Sequence, residues 1–435
     1  MIETDFELKP FTPLFSQGAD RATDSLRGPS LKGQILWWYR ALVGAFYSRR
    51  RQDGIEKVRD LSSGQFGAQS IASRLRITVH ADHPGSLYPD RPYQRGTYWE
   101  PFEGFRYLAY GLEGRRYYDP LAPGMIRLRF STSDSTTWRA TIASLWLLSR
   151  FGGLGGRTRR GMGGFELSPV GTRNILPAGF PSFGPLPGAS TAGEVSSALV
   201  IGLNQLIEWF AREYGAEPVL AAGGPSSLAS SLPPEWSCFA PGFWSAAVSD
   251  RFSSDTISAL DNLGIAYRDF RKTGPLRRHR FHLSDDFPSA NSYESSGVPS
   301  PRGSKLGVFG LPLVFRFSST PHAGSNIGLR EAGVAAAITD QAENEQKDSR
   351  RASPLFLRVI RTADGKFWIL AHVFKARFLK DAEELEFYFK KQTFARPPLP
   401  PTPVPAWHPP YAGIGVDWSN VERFLNTFGG SRFHV

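Results

Sequence analysis

An α+β fold on a βαββαβ plan is what this sequence predicts, and three observations carry the prediction. In the first 176 residues, three segments alternate apolar and polar residues with the period of a half-buried strand. Two further segments carry an apolar stripe at helical spacing. With a short strand after the second helix, the order is strand, helix, strand, strand, helix, strand, the ferredoxin-like or RRM-like arrangement.

Each element has its own justification. Residues 2–9 place Ile2, Thr4, Phe6 and Leu8 on one face and Glu3, Asp5, Glu7 and Lys9 on the other. Ser30 is a cap for a helix over about 31–48 whose stripe is Leu31, Ile35, Trp38, Leu42 and Phe46. A second strand is expected over 71–81, with Ile71, Leu75, Ile77 and Val79 inward, and a third over 125–132, with Ile126, Leu128 and Phe130 inward. A helix over 136–150 carries Trp138, Ile142, Leu145 and Leu148 and stops at Gly152 and Gly153. The fourth strand runs from Phe165 to Val170.

The rest of the chain divides by composition. Residues 177–193 are rich in Pro, Gly and Ser and read as a linker between an N-terminal domain, 1–176, and a C-terminal domain, 194–395. The second domain is expected to be a more decorated ferredoxin-like unit. It has helices over 194–214 and 255–272 and strands over 311–317, 355–361 and 367–378, the last two joined by a turn at Asp364-Gly365. Segments 275–305 and 339–353 read as long polar loops, and 396–410, with eight prolines, as extended polyproline. Residues 396–435 thus form a proline-rich segment ending in a helix over 417–428.

Composition narrows the partners. The chain has 435 residues, a net charge of +11 and 51 basic side chains, of which 11 are lysine and the remaining 40 arginine. This balance points to a polyanion, most simply nucleic acid. No apolar run approaches membrane-spanning length, and the acidic N-terminus has no signal-peptide pattern. A single cysteine, Cys238, excludes an internal disulfide and a cysteine-based zinc cluster and suits a reducing cytoplasm.

The most informative segment is 152–164, where seven glycines surround Arg157, Arg159 and Arg160. Glycine brings bare amides close to a ligand, and arginine forks match phosphate oxygens. Nucleotide-binding loops fit poorly: Gly161 is followed by Met162 where a Walker loop needs lysine, and Thr158 stands where a dinucleotide fingerprint needs its last glycine. The loop also leaves a helix instead of opening one. The expected set contacting a phosphodiester backbone is Gly153, Gly155, Gly156, Arg157, Thr158, Arg159, Arg160 and Gly161; the alternative is a flexible helix exit with solvated arginines.

Other candidates are weaker. On the first helix, Lys32, Gly33, Leu36, Trp37, Arg40 and Gly44 project opposite the apolar stripe, so Lys32, Gly33, Trp37 and Arg40 form a strip for stacking and phosphate contact, to which Arg74, facing outward on the second strand, could add. An insertion over 82–124 mixes seven tyrosines, among them Tyr88, Tyr110 and Tyr118, and Trp99 with arginines such as Arg91 and Arg115. It reads equally as a base-stacking surface or as a small satellite core. No metal motif, cofactor fingerprint or nucleophile constellation is present; His279 and His282 are three apart in a basic stretch, and His80, His83 and His322 stand alone.

The motifs together resemble a known family. Phe11-Thr12-Pro13-Leu14-Phe15, Ser30-Leu31-Lys32-Gly33 followed by Trp37-Trp38-Tyr39-Arg40, Phe66-Gly67 leading into Ser73-Arg74, and Gly155 to Gly163 resemble the RAMP superfamily of CRISPR proteins. The Trp-Trp-Tyr-Arg helix, Gly310-Leu311-Pro312 and Arg350 to Leu355 look most like the first-numbered subunits of Cmr, type III-B, RNA-guided effectors. The resemblance implies two ferredoxin-like domains, a non-catalytic role near the guide's 3′ end, and CRISPR RNA, target RNA and other Cmr subunits as partners. It implies no cofactor, no membrane and a prokaryotic cytoplasm. The rival is a metal-independent endoribonuclease acting on CRISPR transcripts, with His80 as base. A third reading is a general RNA chaperone.

Overall fold

The computed structural model describes residues 1–16, 26–47, 51–81, 102–112, 117–121, 126–171, 176–214, 234–240, 242–273, 313–316, 327–338, 352–377, 383–393 and 418–434. Segments 275–305 and 396–410 lie outside them, as does most of the 82–124 insertion.

The N-terminal elements run β1 (Ile2–Pro10), α1 (Gly28–Tyr47), α2 (Arg51–Phe66), β2 (Arg76–Ala81), α3 (Glu103–Ala109), β3 (Ile126–Thr132), α4 (Ser135–Phe151) and β4 (Phe165–Val170). The strands form one antiparallel sheet in the order β2-β3-β1-β4. Alternation buries Phe6, Leu8, Leu128 and Phe130 against the helices. The opposite face carries the charges, and register places Asp5 across from Arg129, whose Nε and Nη2 donate to the two carboxylate oxygens at 2.8 and 2.9 Å. That arginine holds the Asp5 carboxyl below the usual carboxylate range.

Several local expectations are corrected. Helix α1 begins at Gly28, so Ser30 sits in its first turn and does not cap it. Strand β2 begins at Arg76, not 71, because Gly67, at φ +83°, turns the chain back so that Ala68 and Ile71 bond each other. Ile71 is therefore exposed instead of facing the core. Helix α4 is capped by Asp134, which accepts from the Thr136 and Thr137 amides at 3.3 and 3.1 Å. Gly152 ends it at φ −107°, outside the left-handed region; glycine is needed there because a Cβ would lie 2.5 Å from Trp38 Nε1.

The later elements are α5 (Ala192–Tyr214), β5 (Trp244–Ser253), α6 (Thr256–Thr273), β6 (Leu313–Arg316), β7 (Ile327–Ile338), β8 (Leu355–Arg361), β9 (Phe367–Phe374), β10 (Glu383–Thr393), α7 (Ser419–Asn426) and β11 (Arg432–His434). A second antiparallel sheet is ordered β11-β5-β9-β8. Numbering its strands by chain order gives the same neighbour relations as in the first sheet. The two four-stranded sheets belong to one compact unit, made of 1–268, 355–374 and 425–435. Residues 269–354 and 375–424 form the other unit, which holds a three-stranded sheet ordered β10-β7-β6.

Aromatic residues dominate the core of the first unit: Trp38, Trp146, Trp209, Trp244 and Trp368 are all buried. Although rich in Pro, Gly and Ser, 177–193 is packed: Phe183 sits edge-on to Phe6 at 5.1 Å, and the Ser182 carbonyl accepts from Trp146 Nε1 at 3.0 Å. Cys238 is buried, and burial pushes its thiol up to about 12. A thiol reagent is therefore expected to leave the native protein unmodified and to react only as denaturant unfolds it. Stoichiometric labelling of the native chain would contradict this placement. Among the described residues, no helix is long and apolar enough to cross a membrane.

Candidate nucleic-acid interface

The glycine-arginine loop connects α4 to β4 and is built from the inside out. Its two legs are tied together where the Leu154 amide donates to the Gly163 carbonyl at 2.9 Å. They are tied to the segment after β1 where Gly163 N donates to Pro13 O, Gly156 N to Phe15 O and Gly164 N to Thr12 Oγ1, at 2.9, 2.6 and 2.6 Å. Gly155 and Gly163 have φ +88° and +69°, and a Cβ at either would overlap a backbone carbonyl oxygen, of Phe15 and Leu154 respectively. Most of these glycines thus serve close packing of chain on chain. The expectation of a row of open amides is corrected to a rigid base with a short presented tip.

The tip is Gly155 to Arg160, exposed at Gly155 and half-buried beyond it, whereas Gly153 and Gly161 are buried. Arg157 has φ +58°, and a turn is closed by Arg160 N donating to Arg157 O at 2.8 Å. The Arg157 guanidinium donates to the Tyr110 carbonyl. The Arg159 guanidinium lies over the Phe356 and Trp37 rings, 4.6 and 5.7 Å from their centroids, and burial lowers its pKa to about 10, so it stays charged at neutral pH.

The floor of the loop is strongly basic. Arg150, at the end of α4, donates to the Ser182 carbonyl at 3.0 Å and to that of Gly184; Arg358, on β8, donates to the Ser149 carbonyl. Both are buried, and desolvation lowers their pKa values to about 10 and about 9. Arg358 faces a carbonyl of the last turn of α4, the negative end of the helix dipole favouring it, whereas Arg150 faces carbonyls of the 177–193 segment. His372, on β9, joins them: its Nε2 is 2.8 Å from Phe151 O, and Trp244 Nε1 donates to its Nδ1 at 3.3 Å. These residues were not singled out by the sequence, since a lone Arg or His in a hydrophobic helix or strand gives no pattern.

The other expected residues are only partly brought to the loop. Trp37 is half-buried, with Trp38, Phe356 and Phe374 packed around it, which corrects its placement on a solvent-facing strip. Gly44 is buried as well, and a Cβ there would overlap the Trp236 indole nitrogen. Arg40 is exposed and its Nε donates to Ser62 Oγ on α2 at 3.2 Å. Lys32 is half-buried and Gly33 exposed near the start of α1. Arg74 pairs with Asp134 at 3.3 Å, at the opposite end of α4 from the loop, roughly 25 Å away at 1.5 Å per helical residue.

The described part of the 82–124 insertion forms a satellite core. Phe105, Leu108, Tyr117 and Tyr118 are buried, and Asp261 on α6 caps α3 by accepting from the Gly104 and Phe105 amides at 2.7 and 3.1 Å. Tyr110 is exposed beside the loop. Tyr88, Tyr93, Tyr98, Trp99, Arg91, Arg95, Arg115 and Arg116 lie outside the described residues, as do His83, His279, His282 and His322. His80 is exposed on β2. Among the described residues, no group of three His, Cys, Asp or Glu side chains could hold a metal ion.

Comparison with known proteins adds a family. Residues 7–166 match the RAMP superfamily model. The CRISPR system Cmr subunit Cmr1-2 of Pyrococcus furiosus is 28% identical over 186 residues, covering 38% of this chain and 96% of that protein. Cmr1-1 of the same organism is 28% identical over 173 residues, 38% of this chain and 48% of that protein, so the match spans about half of its length. The crystal structure of Cmr1 from Pyrococcus furiosus in its apo form superposes with a TM-score of 0.54 over 87% of this chain and 90% of that one, at 17% identity, a likeness of fold.

Proposed function

From a chain whose residues 7–166 are of the RAMP superfamily and which resembles Cmr1 subunits, we propose that the protein is a non-catalytic RNA-binding subunit of a type III-B CRISPR ribonucleoprotein. Both four-stranded sheets are read as ferredoxin-like units, one within 1–176 and the other within 194–395 with its last strand supplied by the tail, 396–435. The partners are CRISPR RNA, target RNA and other Cmr subunits in a prokaryotic cytoplasm. The guide reads sequence by base pairing, so this subunit recognises backbone near the guide's 3′ end.

One observation carries the reading: an arginine-bearing tip, 155–160, held on a hydrogen-bonded base in a chain of net charge +11. A rigid presenter of guanidinium groups suits phosphates, whose geometry repeats along any RNA. Lys32, Gly33 and Arg40 extend the surface along α1. Arg74, at the far end of α4 and paired with Asp134, belongs to a separate contact.

The test is binding of a labelled single-stranded RNA across a salt series. Arg157→Ala/Arg160→Ala should weaken binding equally for unrelated sequences and flatten the log–log salt slope by about 0.7 per lost contact. An unchanged slope removes the loop from the RNA site. Incubation with repeat RNA in EDTA tests the endoribonuclease alternative: single-site cleavage lost in His80→Ala would overturn the non-catalytic reading.

A further inference from the structure

The three tip arginine side chains differ in what they touch. Arg157 is bonded through its guanidinium to the backbone of Tyr110. Among the described residues, the Arg160 side chain has no hydrogen bond, ion pair or ring contact. Arg159 is anchored at both ends. Its carbonyl accepts from the Leu357 amide at 3.1 Å, and its guanidinium covers Phe356 and Trp37, whose rings are 5.3 Å apart. Residues 356–358 of β8 therefore hold the loop three times in succession. Phe356 takes the Arg159 side chain, Leu357 takes its backbone, and Arg358 reaches back to Ser149 in the helix that leads into the loop. His372 is stacked on Phe356 at 4.8 Å with 13° between the planes.

We propose that Arg159 is a positioning residue that clamps the glycine loop to β8 through the Trp37–Phe356 seat, leaving the phosphate contacts to Arg157 and Arg160. The proposal rests on the RNA-binding reading for its ligand and on the loop geometry alone for the clamp. A guanidinium spread over two aromatic faces gains its stabilisation by staying there, and a half-buried cation–π contact is lost if the group swings out to a phosphate. The division of labour explains why an arginine between two others lies against the protein: the outer two are aimed by the middle one.

The full chain without RNA decides the clamp. Hydrogen–deuterium exchange over 153–163 should quicken about tenfold in Arg159→Ala and in Phe356→Leu, as expected for losing a contact of that kind, and return towards the wild-type rate in Phe356→Tyr. The double variant should be no faster than either single one. With a labelled single-stranded RNA, Arg159→Ala should weaken binding at an unchanged salt slope, whereas Arg160→Ala should lower the slope by about 0.7. Loop exchange unaltered in Arg159→Ala and Phe356→Leu would overturn the clamp. A slope lowered in Arg159→Ala as in Arg160→Ala would show that Arg159 touches phosphate and overturn the assignment. If the wild-type chain binds no RNA, the functional reading falls, and exchange still decides the clamp.

Discussion

Gly163→Ala is expected to destabilise the protein by more than about 3 kcal/mol, because it joins backbone strain to an overlap that cannot be relieved by a side chain. Gly163 has φ +69°, a region that costs an L-residue about 1 kcal/mol. Its added Cβ would overlap the Leu154 carbonyl, which is fixed by the pairing of the two loop legs. Separating them breaks the bonds from Leu154 N to Gly163 O and from Gly163 N to Pro13 O, each worth roughly 1 kcal/mol net and more when left unsatisfied in a buried place. Gly365→Ala is the matched control: its φ is +81°, but open space surrounds it at the β8–β9 turn. It should cost only about 1 kcal/mol. Denaturant unfolding of both variants measures the difference, and equal losses would refute the role assigned to packing.

Acid should weaken the fold through His372. Trp244 Nε1 can only donate, so Nδ1 of His372 accepts and its Nε2–H donates to Phe151 O; the ring is neutral with both nitrogens used. Burial, followed by the charges of Arg358 and Arg159, lowers its pKa to about 3, even though the Phe151 bond works the other way. An unfolded histidine takes up a proton near pH 6.5, and the folded one does not. The stabilisation is fully present above pH 6.5 and is lost as pH falls from there towards 3, at up to about 1.4 kcal/mol per pH unit and about 4–5 kcal/mol in all. Below about pH 4 the paired carboxylates, such as Asp5 and Asp134, add their own losses in the same direction. His372→Gln should flatten the stability curve between pH 6.5 and 4.5. A variant as acid-sensitive as the wild type would mean that His372 is not the group that titrates.

Elements with one buried and one wet face are legible in the sequence, and so are β8 and β9, buried on both faces, because their apolar runs flank the Asp364-Gly365 turn. Strands β1 and β3 and helices α4, α5 and α6 follow from alternation or apolar stripes. Strand β5 was hidden because Trp244 to Ser249 are buried on both faces and mostly small, so the segment does not alternate. Helix α2 was hidden because its buried side includes Ser62 and Gln65, which read as polar surface. Strand β10 did carry a signal, with Leu385, Phe387 and Phe389 spaced by two, beneath a run of helix-favouring acids. At the site, the sequence identifies the loop but not what surrounds it. Nothing local says that Arg159 meets Phe356, 197 positions away (356 − 159), or that Trp37 faces a second sheet.

The bridges from Arg160 to Leu357 and from Leu186 to Thr362 lie along the outer edge of β8. An unpaired sheet edge is a template for strands of other chains and must be guarded. Here the Leu357 and Ala363 amides are already bonded to Arg159 and Leu186, at 3.1 and 2.8 Å. A foreign strand can add to β8 only by lifting the arginine tip away. The same seating that aims the loop thus makes it a gatekeeper against self-association, and variants that loosen it should aggregate at that edge before the rest of the fold gives way.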